Sequence, residues 1–399
     1  MSDHDVAIVI DAGTGYTKVG MSNDEAPLSI FETVVGRARK GLSVDQESQL
    51  SHSTYVGREA LDRRSLLLVK RPIEHGMVTN WEDWKEVLTY SLESRLCVDP
   101  SDHPVVLSQP TLNPRLNEEK MTQVMFEEFN IPALFVGSDS VFSFQSHTIG
   151  SHSKTNVDDE NVGILVDIGD GGANAAPIYF GRYLAFCVPR SSVSARAVLY
   201  KFAKLVSTPD NSFDTHTELD LLPKTMAENC FVSQDFFGDK QRPDSDFERT
   251  CSLENGRSIT MRKARFECME LLFKNGSELP SVANVVHTAI QRCEATCRSQ
   301  MMGNIVLAGG LASVPGMADR IQQELIFLEK ERVERYSGDN PLLQQACTPR
   351  VHVHPHSRYA AWLGARMQAN AETFLTQCMS KEDYDENGPA FARRMFPCG

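Results

Sequence analysis

Two stretches of this chain place an acidic residue and closely spaced glycines at the end of an apolar run. The first is Val6-Ala7-Ile8-Val9-Ile10-Asp11-Ala12-Gly13-Thr14-Gly15-Tyr16-Thr17-Lys18, and the second is Val162-Gly163-Ile164-Leu165-Val166-Asp167-Ile168-Gly169-Asp170-Gly171-Gly172. Successive aliphatic residues suit a strand buried on both faces, and the glycines allow a tight turn whose N–H groups converge on an anion. Phosphate is the natural guest, since a lysine and opposed amides offset its charge while carboxylates serve a cation. The repetition reads as a duplicated half-fold whose two turns face one another across a cleft. A third strand, Asn304-Ile305-Val306-Leu307-Ala308-Gly309-Gly310, also ends in glycines. It lets backbone approach a flat group such as adenine or ribose.

Other spacings are weaker. Cys293 and Cys297 lie at helical spacing without a second ligand pair, so zinc is the minor reading. His352, His354 and His356 alternate on a predicted strand, where a polar face explains them more simply than a metal.

The elements that must hold these residues alternate in type. Residues 38–54 are polar without an apolar period and read as an exposed loop. A proline-opened link at 71–80 leads into a helix over 81–92, capped by Thr79 or Asn80. A strand at 104–108, a helix at 117–129, a strand at 133–137 and a helix starting at 138–144 follow, and the polar run 150–161 links the halves. Beyond the second glycine turn, 178–182 and 184–188 read as paired strands and 193–206 as an amphipathic helix. The pattern fades over 207–258, where 235–252 suggests loops or a variable insertion, and returns at 266–273 and in a helix over 282–297. A helix at 317–329, a charged irregular segment at 328–349, a strand at 351–353 and a helix from 358 that packs back on the first domain complete the chain. Strands alternating with helices indicate an α/β protein with a largely parallel sheet.

At 399 residues, 41% of them hydrophobic, two domains are the prior. The net charge of -13 is spread along the chain and argues against nucleic acid as a direct ligand. No stretch reaches the roughly 20 apolar residues of a membrane span, and the first residues lack a secretory pattern. The ten cysteines are scattered among aliphatic neighbours, as reduced thiols would be. Cytosol or nucleus is the expected compartment.

With these turns in hand, the chain resembles the actin and actin-related protein family. Pro72-Ile73-Glu74-His75-Gly76-Met77-Val78-Thr79-Asn80-Trp81, Leu112-Asn113-Pro114-Arg115, Lys120 to Glu127, Pro315 to Arg320 and Ser380 to Pro389 are similar to actin nearly word for word. The resemblance implies an actin-like α/β fold of two domains, each a mixed sheet flanked by helices, with a nucleotide cleft between them. It would place residues 1–146 plus 360–399 in an outer domain, with loop 38–54 in its small subdomain, and 147–359 in an inner domain containing the variable region 207–258. It implies Mg-ATP or Mg-ADP as cofactor. Gly13, Thr14, Gly15 and Lys18 would hold the phosphates from one side and Asp170, Gly171 and Gly172 from the other. Asp11 and Asp167 would hold magnesium through water, and Gly309, Gly310 and Arg358 would line the adenosine end.

The chain departs from that family at telling places. The glutamine and histidine that position the attacking water in actins correspond to Asp139 and Asn174, and the lysine and glutamate of the nucleotide-facing helix to Met226 and Ala227, with Cys230 keeping the register. In-line hydrolysis depends on placing that water, so losing both groups should slow it severely. The subunit-docking loop, 38–54, and the plug region, 274–281, are reworked, against conventional filaments. The lengthened segment 328–349 is similar to an insert in the actin-related subunit of the branching nucleator. The resemblance therefore implies a structural subunit of a cytoskeletal complex whose partners are other proteins, actin among the candidates, in the cytoplasm and cytoskeleton or the nucleus. The alternatives are an ATP-hydrolysing filament former, a branching-nucleator-type subunit and a chromatin-remodelling subunit.

Overall fold

A computed structural model describes residues 6–150, 161–209, 211–274, 280–336, 338 and 344–396. The chain divides into two compact units, Met1–His152 with Tyr359–Gly399, and Ser153–Arg358. The polar run at 151–160 and the core of the plug region at 275–279 lie outside the described residues.

The first unit is built on a six-stranded sheet in the order Met379–Ser380, Ala133–Ser138, Val105–Gln109, Ile8–Ala12, Tyr16–Met21 and Ser29–Glu32. Its middle three strands run parallel, and Ile8–Ala12 turns back antiparallel onto Tyr16–Met21. Ile8, Val9 and Ile10 are fully buried because side chains of both faces meet packed layers. On one face the helix Ala360–Ala369 presses Trp362 onto the sheet, with the indole N–H donating to the Val9 carbonyl oxygen at 3.1 Å. Withdrawing a tryptophan from water contributes about 5 kcal/mol. Gly20 makes room for that ring, since a Cβ there would lie 2.7 Å from it. Gly364 lets the same helix meet the helix Asp139–Gly150 backbone to backbone, for its Cβ would fall 1.9 Å from the Phe142 carbonyl oxygen. A small three-stranded sheet, Val35–Ala38, Thr54–Val56 and Leu67–Lys70, carries residues 38–54, which hold one short helix, Val44–Glu47, and are mostly exposed.

The second unit repeats the plan. Its sheet runs Arg182–Tyr183, Ala173–Tyr179, Val162–Ile168, Ile305–Ala308 and Val351–Val353, with the last three parallel and Val162–Ile168 turning back onto Ala173–Tyr179. The helices Ala195–Val206, Val282–Arg292 and Met317–Arg335 bury Phe202, Val286, Ile290 and Ile321 in its core.

Several sequence expectations need correction. Residues 184–188 form an apolar run like that of a strand, but only Arg182–Tyr183 pairs, and Ala185–Cys187 curls into a single 3-10 turn that leaves Phe186 98% exposed. The helix expected over 282–297 breaks: Cys293 and Glu294 are extended, and Glu294 opens a second helix, Ala295–Gly303. Apolar spacing runs through the break unaltered, which is why it deceives. The stretch 235–252 is ordered as the helix Phe236–Gln241, the turn Asp244–Phe247 and the strand Arg249–Ser252, paired with Ser258–Met261. Its charges act locally, as where Asp235 caps the Gly238 N–H at 3.0 Å. The helix expected over 317–329 continues to Arg335, whereas 339–343 lies outside the described residues. Asn80, not Thr79, caps the helix Trp81–Thr89, which passes into a wider π-helical segment, Tyr90–Leu96.

Candidate functional site

In each unit the singled-out acid stands at the carboxyl end of the central parallel strand, where open α/β sheets gather ligands. Asp11 lies opposite Lys18 across the hairpin, and Asp167 occupies the matching position opposite Asn174. Both turns close in the same way: the Gly13 N–H donates to the Tyr16 carbonyl oxygen at 3.1 Å, and the Gly169 N–H to that of Gly172 at 3.0 Å. These closures take up the first glycine amide of each turn, leaving Thr14 and Gly15, and Asp170 and Gly171, at the tips. The duplication legible in the sequence thus extends to strand order, register and turn bonding.

Within the first unit, the buried Asp11 carboxylate is tightly held. Lys18 Nζ reaches Asp11 Oδ2 at 2.8 Å, and the neighbouring parallel strand supplies Ser108, whose hydroxyl donates to Oδ1 at 2.6 Å. Thr14 accepts from the Gly76 N–H at 2.8 Å, tying the turn tip to the 71–80 link. The Thr111 loop forms the next wall. It is braced by Gln109 donating to Glu118 at 2.6 Å and by Asn113 donating to Gln109 at 2.9 Å, with Leu112 at φ 59. A leucine in the left-handed region is held there only by surrounding contacts, as is common at functional loops.

Asp139 opens the helix Asp139–Gly150, and its Oδ1 accepts from the Thr111 N–H at 3.0 Å, the Thr111 hydroxyl at 2.8 Å and the Ser140 N–H at 2.6 Å. Burial pushes its carboxyl up from the usual range; the Thr111 and Ser140 hydrogen bonds resist this, and the Asp11 charge adds to it. That oxygen thereby serves as an anchor between loop and helix.

Within the second unit, Asp170 pairs with Arg196 of the helix Ala195–Val206. Gly309 adopts φ +91, and a Cβ there would stand 2.5 Å from Asp167 Oδ1 and 2.6 Å from the Ile168 carbonyl oxygen. Gly309 therefore lets the Asp167 carboxylate lie against the backbone. A Cβ on Gly310 would touch nothing within 4 Å, so the fold itself does not demand that glycine. The Gly309 N–H donates to the Ser357 carbonyl oxygen at 2.9 Å, which sets the exposed Arg358 beside this glycine pair. Met226 is buried in the core of the unit, and Ala227 is exposed.

The fit to a magnesium nucleotide can be judged from these groups. Asn174 Oδ1 is buried without a hydrogen-bond partner across the ladder from Asp167. A buried acceptor in that state calls for a donor such as an ordered water, which a hydrated cation held by Asp167 would provide. Open space at Gly310 agrees, so the residues fit. The histidine and cysteine alternatives do not gain support: His354 is buried beyond the strand end and accepts from the His356 N–H at 3.0 Å. Among the described residues no cluster of three or more His, Cys, Asp or Glu is arranged to hold a metal. Ser108, Thr111 and Arg196 were not singled out by sequence; the only signal for the first was its position ending a predicted strand.

Comparison with known families finds that the family model described as Actin matches residues 2–397.

Proposed function

The chain belongs to the actin family, and on that premise we propose that it is a structural subunit of a cytoskeletal assembly in which Mg-ATP or Mg-ADP acts as a clamp and is hydrolysed weakly or not at all. Actin-family proteins generally bind these nucleotides with magnesium. Here Gly13, Thr14, Gly15 and Lys18, with Asp170, Gly171 and Gly172, are the phosphate set. Asp11 and Asp167 are the magnesium set, acting through water, and Gly309, Gly310 and Arg358 receive the adenosine end. The magnesium would supply neutralisation of phosphate charge.

The observation that carries the proposal is the state of Asp139. A residue that orients an attacking water must present a free, directed group to it. Asp139 instead spends Oδ1 on four donors from Thr111 and Ser140. Asn174 supplies an amide in place of an imidazole, so neither position retains the chemistry that activates water in the family. Met226, buried at the position of the family's lysine, offers no polar contact to the adenosine either.

One observation favours a second reading, an ATPase that assembles into filaments: the raised proton affinity of Asp139 suits a general base. Sedimentation of the purified chain with Mg-ATP, together with phosphate release, separates the two. The structural reading expects no pellet and release at the buffer rate, with other protein subunits co-purifying; brisk release and a pelleting polymer would overturn it.

A further inference from the structure

The Ser153–Arg358 unit carries two thiol pairs of different character. Cys230 and Cys268 are both buried, with Sγ atoms 3.8 Å apart. Their mutual hydrogen bond and their burial push the Cys230 thiol far above its ordinary range, so it holds its proton. Cys187 and Cys293 form the other pair. Cys187 is partly exposed at the end of the 3-10 turn Ala185–Cys187, beside the solvent-facing Phe186. Cys293 is buried and extended at the end of the helix Val282–Arg292. The Cys187 thiol donates to the Arg292 carbonyl oxygen at 3.3 Å, one residue before Cys293, which brings it into the neighbourhood of the second thiol. Cys293 also donates to the Ala289 carbonyl oxygen at 3.3 Å.

We propose that Cys187 and Cys293 are an oxidisable dithiol, closed to a disulfide by a peroxide, forming a modification site separate from the nucleotide residues. Reactive thiols are those a solvent oxidant can reach with a second thiol in range, whereas sealed thiols stay inert. Exposure makes Cys187 the attacking group. Its thiolate takes an oxygen from the peroxide, breaking the O–O bond and giving a sulfenic acid and water once the leaving hydroxide is protonated. The Cys293 sulfur then displaces the sulfenic oxygen as a second water, and the S–S bond forms. Overall, two thiols and one peroxide give one disulfide and two waters, with both sulfurs oxidised and the peroxide reduced. Burial raises the Cys293 thiol, which assigns it the second, resolving step and not the first. The bond would fasten the turn after the hairpin Ala173–Tyr179 and Arg182–Tyr183 to the end of the long helix.

The test treats the full-length chain with hydrogen peroxide, blocks remaining thiols and maps peptides without reduction. A Cys187–Cys293 linked peptide should dominate, disappear with dithiothreitol, persist in Cys297→Ser and be absent in Cys187→Ser, whose melting curve shows it folded. Trapping with dimedone in Cys293→Ala should label Cys187 several-fold above Cys230 and Cys268. A chain in which Cys187 remains a free thiol under excess peroxide, or in which Cys230–Cys268 oxidises first, would overturn the proposal.

Discussion

Replacing Glu329 by Gln should cost the Ser153–Arg358 unit about 3 kcal/mol at neutral pH, and the loss should fade in acid. Glu329 is 1% exposed on the helix Met317–Arg335. Its Oε1 meets His287 Nε2 at 3.0 Å, Gln291 Nε2 at 3.2 Å and Arg332 Nε at 3.1 Å, and its Oε2 accepts from Arg332 Nη2 at 3.0 Å and the Cys347 N–H at 3.1 Å. Burial alone would raise this carboxyl. The hydrogen bonds from His287, Arg332 and Cys347 overcome that and hold it down, from an ordinary 4.5 to about 2. At 1.36 kcal/mol per pH unit this difference corresponds to about 3 kcal/mol, in line with the roughly 3–5 kcal/mol lost when one partner of a buried ion pair is removed. Because the folded value is depressed, the stabilisation is fully present above pH 4.5 and is lost as pH falls from there towards 2. Urea denaturation of wild type and Glu329→Gln at a series of pH values reads both effects. A variant within about 0.5 kcal/mol of wild type at neutral pH, or a gap that does not narrow in acid, would refute the reasoning.

Three further substitutions probe the frame. Gly309→Ala places a Cβ 2.5 Å from Asp167 Oδ1 at a positive φ; it should cost about 2 kcal/mol and weaken nucleotide binding, as read by melting curves and equilibrium dialysis. Gly364→Ala drives a methyl to 1.9 Å from the Phe142 carbonyl oxygen, and parting the two helices should cost about 3 kcal/mol in a denaturant titration. Asp139→Ala should leave phosphate release at the background rate while loosening the Thr111 loop, seen as faster hydrogen exchange there; a fall from measurable turnover to none would mark the carboxylate as a base.

Much of the frame was legible because it depends on local rules. Apolar runs such as Ile8 to Ile10 ending at an acid and glycines mark strands buried on both faces, and the repeat of that pattern at Ile164 to Asp167 revealed the duplication. Side-chain chemistry narrowed the helix cap to Thr79 or Asn80, and the amphipathic period marked the helix that the structure places at Ala195–Val206. What escaped was set by tertiary contact. Cys293 breaks a helix whose apolar period carries on, and Ala185–Cys187 curls although it lies in an apolar run. Met226 fits an amphipathic helix either way, and only packing turns it into the core. The partners of the site acids come from distant segments: Ser108 reaches Asp11 from a neighbouring strand, Thr111 reaches Asp139 across a loop, and Arg196 reaches Asp170 from a following helix.

The most direct test of the account is to load the purified chain with ATP labelled at the γ-phosphate in the presence of magnesium, remove free nucleotide, and follow the bound label over several hours. The account predicts close to one adenine nucleotide per chain, retained as intact ATP, with binding lost in Lys18→Ala. Rapid conversion to ADP with release of labelled phosphate, or no bound nucleotide at saturating Mg-ATP, would contradict it.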